Sequence, residues 1–303
     1  MNQVKAQITV AGIAMGLTGV AFHSAKAVMV KLGYQYEVDP ISLLLLRMLF
    51  SLPFYVAVAT YQQVTKPASI KLKDLAMLVL FGILGYYMAS YFDFLGLQYI
   101  SAGQERIILF IYPTIVLLLS RVFLGVTIKR MQVIAICVTY LGVVITFYPQ
   151  LAGSDVSGNY FTGAGFVFLS ALTYAAYLTG SSYLIPRLGA TRFTSLAMIV
   201  ACLSVIIHYL VTSDLDLWQY PKEVYIIGFL MALISTVVPS YLVSSAIKQM
   251  GASNFSILGS MGPLFTIILA FFLLGEAFTS IQMVGAVVVI AGVLILSKQK
   301  KTV

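Results

Sequence analysis

Ten stretches of about twenty residues, each almost unbroken in its apolar character, run one after another through the 303-residue chain and are separated by short polar turns. They cover approximately residues 8–30, 41–61, 75–98, 103–124, 130–149, 162–185, 193–213, 224–248, 254–274 and 279–297. A membrane-spanning helix takes roughly 20 apolar residues, so ten spans and their turns use nearly the whole chain and leave no room for a separate soluble domain. The runs do not alternate with the period of two that a barrel strand requires, and in lipid only helices and closed barrels satisfy the backbone. The fold class expected is therefore an all-α integral membrane protein with ten transmembrane helices. A chain 60% hydrophobic and only 9% charged, with mean hydropathy +0.99, agrees with lipid as its solvent.

Lys and Arg are distributed unevenly over the turns. Lys5, Lys66, Lys71, Lys73, Lys129, Arg130, Arg187, Arg192, Lys248, Lys298, Lys300 and Lys301 fall on one side, while Lys31, Arg106 and Lys222 fall on the other. By the positive-inside rule the first side is cytoplasmic, which puts both termini in the cytoplasm and the protein in a plasma (inner) membrane. The first run, Ile8 to Val30, is followed by no convincing cleavage site beyond Ala25-Lys26-Ala27 and exceeds a usual signal core, so it reads as a retained first helix. The net charge of +8 is spread between apolar runs and forms no stripe, which favours anionic lipid headgroups over nucleic acid as counterions. Cys137 and Cys202 both lie inside apolar runs and read as packing residues.

The chain repeats itself at an offset of 150 residues: Ser90-Tyr91 matches Ser240-Tyr241, Tyr112-Pro113 matches Gly262-Pro263, Gly125 matches Gly275, Gln132 matches Gln282 and Gly142 matches Gly292. Residues 1–150 and 151–303 are thus expected to be two five-helix repeats. Because five is odd, the second repeat enters the membrane inverted relative to the first, the arrangement that gives a carrier two packings of similar energy.

With ten spans, this repeat, and Gly275-Glu276 closing the ninth span after Pro263, the chain resembles the drug/metabolite transporter superfamily, in particular its EamA-like branch. Arg47, after Asp39-Pro40, matches a basic residue common at that place in the family, whereas Gly125-Val126 departs from the Gly-Glu pair often found in the first repeat. The resemblance implies transport of amino acids, related metabolites or exogenous compounds, commonly outward, and it leaves the substrate open.

Ionisable groups within spans mark candidate sites, because each costs roughly 2.5–3.5 kcal/mol on insertion scales and wants a partner or a wet cavity. Lys26, Arg47, Asp93, Glu105, Arg106 and His208 are expected at comparable depth in the outer half, as a vestibule with a surplus of one positive charge that can hold a carboxylate. For Lys26 the plainer reading is snorkelling, and for Glu105 a helix-terminus charge in a capping box with Ser101 and Gln104. Arg47 and Asp93 are the stronger substrate-binding candidates, joined by Lys26, Tyr174 and the equivalent pairs Ser90-Tyr91 and Ser240-Tyr241 as polar groups of a central pocket. Pro113 and Pro263 each remove a backbone hydrogen bond in mid-span and are expected to act as paired kinks in gating.

No nucleophile elbow, His/Cys metal cluster or Gly-rich phosphate loop is present, so neither an enzyme, nor a metal or cofactor site, nor an ATP-driven pump is expected. The expected function is a secondary transporter exporting small metabolites such as amino acids by alternating access. A broad-specificity drug exporter is the alternative, and a membrane-embedded receptor or enzyme would need a signalling extension or a catalytic pair. The partners expected are a small-molecule substrate and the lipid bilayer; a homodimer is compatible with a sequence that does not fix oligomeric state.

Overall fold

The structure, a computed structural model, describes residues 9–100, 102–152, 159–212, 217–274 and 280–297. Its helices are α1 (Val10–Tyr34), α2 (Pro40–Thr65), α3 (Leu72–Tyr99), α4 (Ala102–Leu109), α5 (Tyr112–Leu124), α6 (Arg130–Ala152), α7 (Tyr160–Leu188), α8 (Ala190–Thr212), α9 (Lys222–Met250), α10 (Ala252–Leu258), α11 (Gly262–Leu274) and α12 (Ser280–Ser297). Among the described residues there is no strand. Six of these helices, α1, α2, α3, α7, α8 and α9, are long and apolar enough to cross a membrane. The expected spans 103–124 and 254–274 are each divided, into α4 and α5 and into α10 and α11, and the apolar parts of α6 and α12 are the shorter stretches Arg130–Ile145 and Met283–Ile295.

Local chemistry sets the ends. Asp39 caps α2, accepting from the Ile41 and Ser42 nitrogens at 3.0 Å each, with Pro40 pre-set for the first turn. Gly125 closes α5 at φ 65°. α7 runs into α8, and α9 into α10, through the single residues Gly189 and Gly251, whose φ values of 80° and 79° a side chain would resist. The Gly275-Glu276 pair lies outside the described residues, as do Ser101 and the loop 213–216.

The helices recur at the spacing found in the sequence. Val10 and Tyr160, Pro40 and Ala190, Leu72 and Lys222, Ala102 and Ala252, Tyr112 and Gly262, and Arg130 and Ser280 begin equivalent helices, each pair 150 apart. Even the π-turns inside α3 (Ile83–Met88) and α9 (Leu233–Val237) start at that offset. Packing obeys the same exchange: α1 lies on α9 as α3 lies on α7, α1 on α11 as α5 on α7, α2 on α8, and α6 on α12. Swapping the two halves therefore maps these pairings onto one another.

Where α6 meets α12, small residues let the backbones touch. A Cβ added at Gly142 would stand 2.6 Å from the Val289 nitrogen and 2.9 Å from the Gly285 carbonyl oxygen; one at Gly292 would stand 2.9 Å from the Thr139 nitrogen and 3.1 Å from the Ala135 oxygen. These atoms are main chain and cannot turn aside. Gly142→Ala is accordingly expected to cost about 1–3 kcal/mol and to lower the thermal unfolding midpoint in detergent. Gly165→Ala, where an added Cβ meets nothing within 4 Å, should leave the midpoint unchanged, and equal midpoints for the two variants would contradict this packing.

Candidate functional site

The site is built from charges that the apolar helices cannot leave alone. Lys26 of α1 places its Nζ 2.7 Å from Oδ2 of Asp93 on α3, and both side chains are buried. Three residues before Asp93, Ser90 accepts a hydrogen bond of 2.8 Å from Nη2 of Arg47 on α2. The Arg47 guanidinium also lies over the Phe94 ring, 5.2 Å from its centroid, a cation–π contact that replaces part of its lost hydration. On α4, Nε of Arg106 lies 3.1 Å from Oε2 of Glu105. The five charged groups form one cluster of three cations and two carboxylates, each buried. The vestibule expected from the sequence was one whose charges pair internally; Lys26 lies with Asp93 and Arg106 with Glu105, while Arg47 turns to Ser90 and Phe94, because in a low-dielectric interior a partner offsets what water no longer supplies.

Against this cluster lies a cavity of about 60 Å³, space for a few water molecules. Its walls come from α1, α3, α7, α9 and the two divided spans. Lys26, Ser90 and Tyr174, singled out for substrate binding, and Pro263, singled out as a kink, line it together with His23, Ser24, Tyr86, Arg106 and Tyr112. The divided spans break just ahead of the two prolines: α4 ends before a turn at Phe110 and Ile111, and α10 passes through a 3-10 turn, Gly259–Met261, into α11. Pro113 and Pro263 cannot supply the N–H that a continuous helix needs four residues back; at Gly259 the carbonyl is taken instead by the Gly262 N–H.

The second break is held by the first half. The Tyr112 hydroxyl donates to the Ser256 carbonyl at 3.2 Å, and a Cβ at Gly259 would collide with that hydroxyl at 1.8 Å. Ser24, also of the first half, brings its hydroxyl within 3.1 Å of the Gly262 carbonyl oxygen. Tyr174 closes the wall between them, edge-on to Tyr112 at a centroid distance of 5.4 Å.

Other expected residues lie elsewhere. Tyr91 packs edge-on to His208 at 4.6 Å, beside the Tyr87 hydroxyl that meets His208 Nδ1 at 3.1 Å. Ser240 shares a 2.9 Å hydrogen bond with Tyr55, and Tyr241 shares one of 2.8 Å with Ser195. Of the equivalent pairs Ser90-Tyr91 and Ser240-Tyr241, then, Ser90 lines the cavity and the other three do not. Arg47, Asp93 and Pro113 stand one contact behind its wall: Arg47 through Ser90, Asp93 through Lys26, Pro113 through its neighbour Tyr112. Sequence reasoning passed over Tyr112 and Ser24 as site residues. The Tyr112 signal was present, since a large residue in one repeat faces glycine, Gly262, at the equivalent place in the other. Among the described residues no three His, Cys, Asp or Glu side chains gather as metal ligands.

The comparisons agree with one another. The model of the EamA-like transporter family matches twice, over residues 10–148 and 161–298. An uncharacterized transporter of Bacillus subtilis (strain 168), YcbK, is 27% identical over 290 residues, covering 94% of this chain and 92% of the relative. A second from the same organism, YyaM, is 25% identical over 223 residues, 73% of each chain, and an uncharacterized transporter of Archaeoglobus fulgidus is 32% identical over 131 residues, 43% of this chain and 45% of its own. A crystal structure aligns over 95% of this chain and 96% of its own with a TM-score of 0.74 at 13% identity, which speaks to the fold alone. The chain belongs to the EamA-like transporter family of the drug/metabolite transporter superfamily and is a multi-pass membrane transporter.

The buried pair gives a direct test. Lys26→Met leaves Asp93 buried without its cation and is expected to cost about 3–5 kcal/mol, whereas Lys26→Met with Asp93→Leu removes both charges and recovers most of that loss. Thermal unfolding midpoints of the two variants in detergent check this. A double variant no more stable than the single one contradicts the pairing.

Proposed function

We propose that this member of the EamA-like family is a secondary carrier that exports small polar or amphipathic metabolites, amino acids among them, across the plasma membrane by alternating access. In this reading the ten apolar runs are ten spans, and residues 1–150 and 151–303 are inverted five-helix repeats with both termini in the cytoplasm. The observation that carries it is the position of the cavity, at the meeting of two broken helices, one from each half, within a contact pattern that survives exchange of the halves. Interrupted helices whose exposed ends meet at a midplane site, between repeats that rock against each other, are the recurring architecture of alternating access.

Under this reading Lys26, Ser90 and Tyr174 contact the substrate, and Arg47 and Asp93 hold them in place. Pro113 and Pro263 mark the joints at which the half-helices reorient. With no phosphate-binding loop in the sequence, the gradient of substrate or of an ion supplies the energy.

Two measurements test the proposal. Reporter fusions should locate the two termini on the same, cytoplasmic face; opposite faces would mean an odd number of spans and would remove the inverted repeat. In proteoliposomes, with and without a pH gradient, labelled leucine, pyruvate, glucose and tetraethylammonium sample zwitterionic, anionic, neutral and cationic solutes. Saturable movement of a metabolite, abolished or strongly slowed by Tyr174→Ala, is the expected result. Movement restricted to bulky cations would favour the drug exporter, and no movement of any solute counts against a carrier.

A further inference from the structure

The buried cluster beside the cavity is electrically incomplete. Lys26 pairs with Asp93 at 2.7 Å and Arg106 with Glu105 at 3.1 Å, yet the four carboxylate oxygens, Arg47 Nε, and Nε and Nη2 of Arg106 make no hydrogen bond, and of these groups only Arg106 lines the cavity. Arg106 is nonetheless buried, with 6% of its surface exposed, and it lines the cavity. Guanidinium donors withdrawn from water and left unmatched are costly. Cations outnumber carboxylates here by one, Lys26, Arg47 and Arg106 against Asp93 and Glu105, and a single negative charge entering the cavity would balance the formal charge and give Arg106 Nη2 an acceptor.

We infer that Arg106 anchors an anion site: the cavity takes a solute bearing one carboxylate, seated against Arg106 and Lys26, with its apolar body between Tyr86, Tyr112 and Tyr174. The inference rests on the carrier reading for its role in transport, and it deepens that reading by naming the substrate class. It also separates the two arginines of the cluster. Arg47 is absent from the cavity lining and gives Nη2 to Ser90, so it acts on the solute only by holding that hydroxyl. Arg106 presents a planar fork suited to two parallel hydrogen bonds to carboxylate oxygens. The aromatic wall favours a solute with an apolar or ring-bearing body, and the small volume accepts the carboxylate end before the rest of the solute.

Acetate is the probe, because it carries the charged end and little else, and acetamide is its uncharged counterpart of the same shape. With the purified full chain in detergent, at ionic strength held constant with chloride, acetate should raise the thermal unfolding midpoint saturably and acetamide should not. Arg106→Gln should weaken the apparent acetate affinity about tenfold or more, the loss of a charge-assisted contact, and Arg106→Lys should restore part of it. A purely structural Arg106 would lower the midpoint of the variant without changing its response to acetate. Equal responses to acetate and acetamide, or an unchanged acetate affinity in Arg106→Gln, overturn the inference. If Arg106→Gln does not fold, the wild-type comparison and Arg106→Lys decide it. The liposome panel keeps the two readings apart: transport of neutral or cationic solutes alone overturns the anion site and leaves the carrier, while acetate binding without transport of any solute leaves the site and removes the carrier.

Discussion

A chain with so little polarity has to close every backbone hydrogen bond within its own helices, since the surrounding hydrocarbon offers no partner. That requirement explains why the described residues are almost wholly helical, and it also explains where helicity is allowed to fail. The turn at Phe110 and Ile111 and the 3-10 turn Gly259–Met261 bring Phe110 and Gly259 to the protein-lined cavity, and at the second break Tyr112 and Ser24 supply hydroxyls to the carbonyls of Ser256 and Gly262. Irregular backbone placed against lipid would have no such help. The interruptions and the cavity are two aspects of one solution.

The scaffold is nearly symmetric and its chemistry is not. Helix starts, π-turns and packing partners exchange between the halves, yet Lys26, Arg47, Asp93, Glu105 and Arg106 all belong to the first half. Their counterparts 150 residues on are Ala176, Ala197, Val243, Phe255 and Ser256. The second half contributes Tyr174, Ser170 and the small residues Gly259 and Gly262 to the same cavity. One half thus carries the charge and the other an aromatic and small-residue wall that closes upon it. A carrier needs symmetry in its mechanics, because two states of similar energy are required, but the bound solute needs only one set of ligands.

Much of the architecture was legible in the sequence. The apolar runs located every described helix, the offset of 150 anticipated equivalent helix starts, and Pro113 and Pro263 marked the breaks to within a few residues. The charged residues were singled out as a group because burial of charge is rare enough to be informative; Lys26, Arg47, Asp93, Glu105 and Arg106 are buried, whereas His208 packs on Tyr87 and Tyr91. What the sequence could not supply was orientation about each helix axis. Ser90 and Tyr91 are adjacent, so they point about 100° apart on a helix, and only Ser90 faces the cavity while Tyr91 turns to His208. The same limit hid Tyr112 and Ser24, whose importance lies in contacts made across 144 and 238 residues of chain. Arg47 was favoured over Arg106 in the sequence, and only their neighbours place Arg47 behind Ser90 and Arg106 on the cavity wall.

The glycine seam between α6 and α12 bears on how such a molecule can move. With Gly142 set against the main chain of Gly285 and Val289, and Gly292 against that of Ala135 and Thr139, the last helices of the two halves interlock along their main chains. Sliding there would drive Cβ atoms into peptide groups, whereas pivoting about the line of contact keeps the glycines opposed. The seam therefore resists translation of these two helices past each other more than rotation about their line of contact.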